Sequence, residues 1–248
     1  LTNLYLIRHG EAISATQGII GNSGLSPLGI LQAERLRDRL AATKEIKADI
    51  LISSTLHRAY QTAQIVAPAF GLPIVLDDTI QELRPGEAEG MTIEEYKEAF
   101  GEVDFEIDPY HPMAPGGESW ADFMLRVGSA LHRITHEHEG KTIVLFCHGG
   151  VIDSYFLYFF QVSAWTIPAA HFFTRNTSIT RWRQDTIEGK GKYWQLMKYN
   201  DAFHLHDIGS RATIPWGQLL PRPASDTDRP TVPIQTEAER VNDATTKE

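Results

Sequence analysis

Leu4-Tyr5-Leu6-Ile7-Arg8-His9-Gly10-Glu11 decides the reading of this chain. Four consecutive apolar residues make a strand buried on both faces, and the strand stops by presenting an arginine and a histidine. In open α/β sheets the carboxyl ends of the strands form the ligand crevice. A guanidinium offers phosphate oxygens a rigid fork of donors, and a neutral imidazole beside it can attack phosphorus. The same order returns at Thr142-Ile143-Val144-Leu145-Phe146-Cys147, which leads into His148-Gly149-Gly150. Either histidine alone reads as a hydrogen-bonded strand terminus. The two in one context point to an anion site, where glycine lets backbone N–H groups approach closely.

Strand and helix patterns alternate outward from these two sites. Ser26 and Pro27 open a helix as N-cap and first helical residue, with Leu28, Leu31, Leu36 and Leu40 as its apolar stripe. Residues 48–53 read as a strand, residues 56–70 as a helix ended by Gly71, and residues 74–76 as a short extended piece. From Glu118 to Glu137, Trp120, Phe123, Met124, Val127, Leu131 and Ile134 recur at helical spacing. Residues 178–183 and 193–197, joined by Glu188-Gly189-Lys190-Gly191, predict an antiparallel hairpin at a sheet edge. The expected fold is a three-layer α/β sandwich, a mostly parallel mixed sheet flanked by helices.

The 248 residues carry a net charge of −9 and no long Lys/Arg cluster, which argues against nucleic acid as a partner. No Pro/Gly/Ser-rich linker interrupts residues 1–205, so one domain is expected. Residues 154–173 lack Asp, Glu, Lys and Arg, but Gln161, Ser163, Trp165, Thr166, Pro168 and His171 interrupt them. They read as a buried aromatic helix and a loop, not a membrane span, with a homodimer face as the lesser reading. Cys147 is the sole cysteine, and no basic-then-apolar leader opens the sequence from Leu1, which fits the expectation of a cytoplasmic protein. Residues 218–248 are rich in Pro, Thr, Asp, Glu and Arg and are expected to be a disordered polar tail.

Two further segments belong with the histidines. Ser53-Ser54-Thr55-Leu56-His57-Arg58 places Arg58 in the first turn of a helix that follows a strand, where helix N-terminal amides also favour an anion. The loop Ile80-Gln81-Glu82-Leu83-Arg84-Pro85-Gly86-Glu87-Ala88-Glu89-Gly90 supplies carboxylates that could protonate a leaving oxygen. The residues themselves do not choose among Glu82, Glu87 and Glu89. His132, His136, Glu137, His138 and Glu139 raise the idea of a metal site. They form no H-E-x-x-H pattern and have no obvious third ligand, so they read as a solvated helix end and no metal is expected.

With RHGE at 8–11, SSTLHRAYQTA at 53–63, ELRPGEAEG at 82–90, GGES at 116–119 and HGG at 148–150, the chain resembles the histidine phosphatase superfamily, the phosphoglycerate mutase-like proteins. NTSIT at 176–180 and YNDAFHL at 199–205 are similar to that family's closing strands. The resemblance implies a catalytic domain over residues 1–217 with a lid at about 82–118. It implies that His9 is phosphorylated, that Arg8, Arg58 and His148 hold the phosphoryl oxygens with Gly149 at the same substrate-binding site, and that Glu82 is the general acid. Ala12 and Ala15 depart from the family's RHGxTxxN pattern, which removes secondary phosphate contacts.

The expected activity is therefore hydrolysis of a small phosphorylated metabolite through a phosphohistidine, without cofactor. A phosphoglycerate mutase-like phosphotransferase and a weakly catalytic phospho-ligand sensor are the alternatives. Between Glu82 and Asp108 ten acidic residues face two basic ones, Arg84 and Lys97, a field expected to oppose a second anionic group on the substrate. Tyr96, Phe100, Phe105, Tyr110 and Trp120 are expected near the entrance.

Overall fold

Alternation along the first strand sorts the core into two layers. In β1 (Thr2–Arg8), Leu4 and Leu6 enter one buried cluster while Tyr5 and Ile7 enter another. The strand β4 (Thr142–Cys147) repeats this, with Ile143, Leu145 and Cys147 on the first side and Val144 and Phe146 on the second. Period-2 side chains that are apolar on both faces require cover on both faces, and helices provide it. The computed structural model describes residues 1–208 except 102–104, 106, 164–171 and 190. The expected tail at 218–248, and most of the expected loop after the aromatic helix, lie outside the described residues.

Helices α2 (Pro27–Thr43) and α3 (His57–Val66) cover the second face, through Ala33, Leu36, Leu40, Ala63 and Val66. Helices α5 (Trp120–Glu137) and α6 (Gly149–Phe159) cover the first, through Phe123, Val127, Leu131, Val151, Tyr155 and Phe156. The short α1 (Ile13–Gln17) and α4 (Ile93–Phe100) complete the helices among the described residues. With β2 (Ile50–Ser54), β3 (Ile74–Asp77), β5 (Ile179–Ile187) and β6 (Gly191–Asp201), the sheet has the order β3-β2-β4-β1-β5-β6. The pairs β3/β2, β2/β4 and β4/β1 are parallel, and β5 and β6 are antiparallel additions. This is the expected mixed sheet in a three-layer sandwich, with the expected hairpin at one edge. No helix among the described residues is long and apolar enough to cross a membrane.

Local signals explain where the elements start. The Ser26 hydroxyl accepts from Gly29 N (3.0 Å) ahead of Pro27, and Ser119 and Asp122 form a capping box at the head of α5. Three details differ from the sequence reading. Leu31 is 37% exposed, because the buried stripe of α2 runs through Gly29, Ala33, Leu36 and Leu40, and Leu31 to Leu36 is not a helical interval. The α-helix after β2 stops at Val66, since Pro68 has no N–H to continue the ladder, and a 3-10 turn at Ala67–Ala69 carries the chain to Gly71. The capped helix α4, with a box formed by Thr92 and Glu95, was not foreseen.

Phe123 is fully buried in the first cluster, its ring 5.9 Å from that of Trp120. Phe123→Ala is expected to cost about 3–5 kcal/mol, read as a shift of the denaturant midpoint.

Candidate active site

The two histidines meet because β1 and β4 are parallel neighbours in register, Arg8 opposite Cys147. The pairing continues one residue past the strand, where His9 N donates to the Cys147 carbonyl (3.0 Å). After β1 the chain turns to the face covered by α2, and after β4 to the face covered by α6. Adjacent strands that send their connections to opposite faces open a crevice between their carboxyl ends. The rings of His9 and His148 lie there with centroids 5.2 Å apart.

Hydrogen bonds assign the His9 tautomer. Its Nδ1 lies 2.6 Å from the Gly10 carbonyl, which can only accept, so Nδ1 carries the proton. Its Nε2 accepts from Arg58 Nε at 3.2 Å and so presents a lone pair. Burial holds the His9 pKa well below the ordinary value, with the Arg58 and Arg8 guanidiniums adding to the effect against the Gly10 hydrogen bond. His148 is fully buried and is likewise held low by burial and then by Arg58. Its Nε2 meets Ser54 Oγ at 2.8 Å, and its Nδ1 has no partner among the described residues.

The cationic side of the site is built from separate elements. Arg8, at the end of β1, donates through Nη1 to the Thr174 carbonyl, and burial brings its pKa down to about 10. Arg58, at the head of α3, donates through Nη1 to the Gly21 carbonyl (3.2 Å). Its helix is tied to the His9 loop through Thr62, whose hydroxyl accepts from Gly10 N (3.1 Å). From the other side Asn176 Nδ2 donates to the His9 carbonyl (2.9 Å). Thr177 N donates to the Arg8 carbonyl (2.9 Å) from a left-handed conformation, φ 52°. A cavity of about 310 Å³ opens onto this cluster, lined by Arg8, His9, Arg58, Glu82, Gly149 and Asn176 among others.

Geometry separates the three candidate acids. Glu82 lines the cavity, its Oε2 accepting from Gly150 N (3.0 Å) and its Oε1 from Leu83 N (3.2 Å). Burial raises its pKa above the ordinary carboxyl value, outweighing the Gly150 hydrogen bond and the charge of Arg58. Glu89 lies on the cavity wall but is engaged by Asn22 N (2.7 Å), and Glu87 is exposed away from it. Gly150 matters here, since a Cβ at that position would stand 2.4 Å from Glu82 Oε1.

Arg8, His9, Arg58, Glu82, His148 and Gly149 are thus brought together. Sequence reasoning missed Ser54, Thr62 and Asn176; only Ser54 carried a usable signal, because β2 ends at the same sheet edge as β1 and β4. The aromatic entrance is not found. Tyr96 and Phe105 are buried in the first core cluster, Phe100 and Trp120 pack against it, and Tyr110 is exposed off the cavity. Spacing of four along α4 pairs Tyr96 with Phe100 (5.8 Å) on its inner face, and the Tyr96 hydroxyl donates to the Met113 carbonyl. The cavity wall is instead aliphatic, with Ile19, Ile20, Leu83, Ile93 and Met113. Of the seven described acids of residues 82–108, Glu82 and Glu89 line the cavity, alongside Glu11 and the basic Arg84. His132 and His136 stack at 6.2 Å on an exposed face of α5, remote from these residues in the fold.

The model of the histidine phosphatase superfamily (branch 1) matches residues 4–202. The chain belongs to this superfamily. It is 32% identical over 220 residues to phosphoglycerate mutase-like protein 4 of Arabidopsis thaliana, covering 83% of this chain and 88% of that one. It is 28% identical to a metal-independent phosphoserine phosphatase of the same plant, over 84% of this chain and 85% of the relative. The solved phosphoserine phosphatase of Entamoeba histolytica, in complex with 3-phosphoglyceric acid, superposes with a TM-score of 0.63 at 28% identity, covering 83% of this chain and all of that one (100%). Family membership accounts for the order in which the sequence supplies its motifs.

The raised pKa of Glu82 has a consequence for stability. Its protonated form is favoured in the fold, so its contribution is fully present below the ordinary value of 4.5 and is lost as pH rises through the raised value. Glu82→Gln, which keeps an acceptor for Gly150 N, is therefore expected to match the wild type in acid. It should become the more stable of the two as pH rises through that window, followed by denaturation midpoints from pH 4 to 8. A stability difference that does not change with pH would place the carboxyl in solvent.

Proposed function

We propose that the protein is a phosphomonoester hydrolase acting on a small phosphorylated metabolite through a phosphohistidine at His9. The observation that carries this reading is the His9 ring itself: Nδ1 is pinned on the Gly10 carbonyl, and Nε2 is unprotonated and directed at the Arg58 guanidinium. An imidazole held neutral between two arginines is a nucleophile aligned with an anion site. When a phosphoryl group enters, the Arg58 N–H transfers from Nε2 to a phosphoryl oxygen and leaves the lone pair free to attack.

In the first step His9 Nε2 forms a bond to phosphorus as the ester P–O bond breaks, and the proton of Glu82 passes to the departing oxygen. The charge of the phosphohistidine ring is met by the Gly10 carbonyl at Nδ1. In the second step a water oxygen bonds phosphorus, the N–P bond breaks, and the water proton returns to Glu82. Phosphoryl transfer asks mainly for in-line placement and charge stabilisation on the equatorial oxygens. Arg8, Arg58, the head of α6 at Gly149 and His148 Nδ1 can supply both, so the scheme calls on no metal.

One observation favours a second reading, a phosphotransferase of the mutase kind. Arg84 puts a third guanidinium on the cavity wall, where it could hold a carboxylate of the substrate. Phosphate release from 3-phosphoglycerate, set against its conversion to the 2-isomer, decides between the two.

His9→Ala is expected to abolish turnover while leaving the unfolding midpoint near that of the wild type. Acid-labile, base-stable labelling from a phosphorylated substrate should vanish with it. Turnover at the wild-type rate would end the phosphohistidine scheme. Arg58→Lys keeps the charge but not the fork, and loss of one transition-state donor is worth roughly 3 kcal/mol. A drop in kcat of about 10²-fold is expected, and wild-type kinetics would remove Arg58 from the phosphoryl site.

A further inference from the structure

The segment that carries Glu82 has no regular structure of its own between the turn at Asp78–Ile80 and the turn at Gly86–Ala88. Its backbone carbonyls therefore need partners from elsewhere. Three carbonyls here converge on one side chain. Arg126, on the inner side of α5, donates from Nη1 to the carbonyls of Thr79 (2.8 Å) and Gln81 (3.0 Å), and from Nη2 to the carbonyl of Glu82 itself (3.2 Å). Its remaining donors, from Nε and Nη2, both go to Glu118, at 2.6 Å to Oε1 and 2.6 Å to Oε2. All five N–H groups of the guanidinium are thus committed.

Glu118 closes the loop from the other side. Its Oε2 accepts from Arg84 N (3.0 Å), and its own N–H donates to the Arg84 carbonyl (2.9 Å). Both side chains of the pair are little exposed, 12% for Arg126 and 13% for Glu118, and the guanidinium lies over the Phe123 ring at 5.4 Å. The pair grips residues 79, 81, 82 and 84, so that Glu82 is bracketed on both sides. At its far end the Glu82 carboxyl is held, among the described residues, by the amides of Gly150 and Leu83.

We infer that Arg126 and Glu118 are positioning residues for proton transfer, fixing the Glu82 backbone so that its carboxyl reaches the leaving oxygen across from His9. This rests on the reading of Glu82 as the general acid. A point ammonium cannot copy five donors in one plane, so Arg126→Lys should loosen the segment without removing the charge. The loosened acid serves poorly where the departing oxygen needs a proton and is scarcely missed where it does not.

The experiment compares kcat/KM for p-nitrophenyl phosphate and for an alkyl phosphate of similar size in wild type, Arg126→Lys, Glu118→Gln, Glu82→Gln and the Arg126→Lys/Glu82→Gln double variant, with the fold of each checked by its unfolding midpoint. Glu118→Gln keeps the shape of the pair and serves if Arg126→Lys does not fold. Either single variant is expected to lose on the order of 10²-fold on the alkyl phosphate and less than about 3-fold on the aryl phosphate. The Arg126→Lys loss on the alkyl phosphate should disappear in the Glu82→Gln background. Equal losses on both substrates, or a loss that persists in that background, would overturn the inference and leave Arg126 a purely structural clamp. Leaving-group selectivity in Glu82→Gln without any in Arg126→Lys and Glu118→Gln would overturn it too, while sparing the acid. A Glu82→Gln variant with no selectivity overturns the assignment of the acid, and the positioning role with it.

Discussion

Parallel pairing between β1 and β4 is the constraint on which the site depends. Side chains on a strand alternate faces, so a slip of one residue would turn Leu4 and Leu6 toward the wrong helices and shift His9 away from His148. Apolar cover on both faces forbids that slip, since the central pairs from Leu4/Ile143 to Ile7/Phe146 are filled by buried Leu, Ile, Val, Phe or Tyr. The hydrogen bond from His9 N to the Cys147 carbonyl carries the register past the strand end into the His9 loop. The distance between the two imidazoles is therefore a property of the core as much as of the site.

Around that pair each charged group is held by a different layer of the sandwich. Arg58 comes from α3 on one face, and Glu82 reaches the head of α6 on the other. The chemistry benefits from this separation. Burial favours the neutral form of His9 and the protonated form of Glu82, so the proposed nucleophile and the proposed acid are driven in complementary directions by the same low-dielectric surroundings. The cost is an uncommon backbone at Thr177, a β-branched residue at positive φ, which the hydroxyl contact to His204 (2.9 Å) helps to fix.

The legible part of the sequence was what strand ends and helix starts announce. His9, His148 and Arg58 each follow a strand that pattern alone identifies, and the crevice rule then places them together. Glu82 could not be separated from Glu87 and Glu89 by such reasoning, because the contact that distinguishes it lies 68 residues away at Gly150. Asn176 is 167 residues from His9 and sits in no regular element, so although NTSIT marks its segment, no local pattern ties its side chain to His9. The aromatic residues of 96–120 failed for another reason. Helical spacing shows that a face is apolar, but not whether that face covers a core or a ligand, and here Tyr96 and Phe105 cover the core.

Cys147 occupies a fully protected position in this arrangement. It is fully buried at the end of β4, opposite Arg8, and burial pushes its thiol well above the ordinary cysteine range. Thiols react as thiolates, and one that is neither ionised nor reachable is inert to peroxide and to alkylating reagents. With the proposed imidazole nucleophile and its sole cysteine shielded, the chain would be a catalyst indifferent to the oxidants that silence enzymes built on a reactive sulfur.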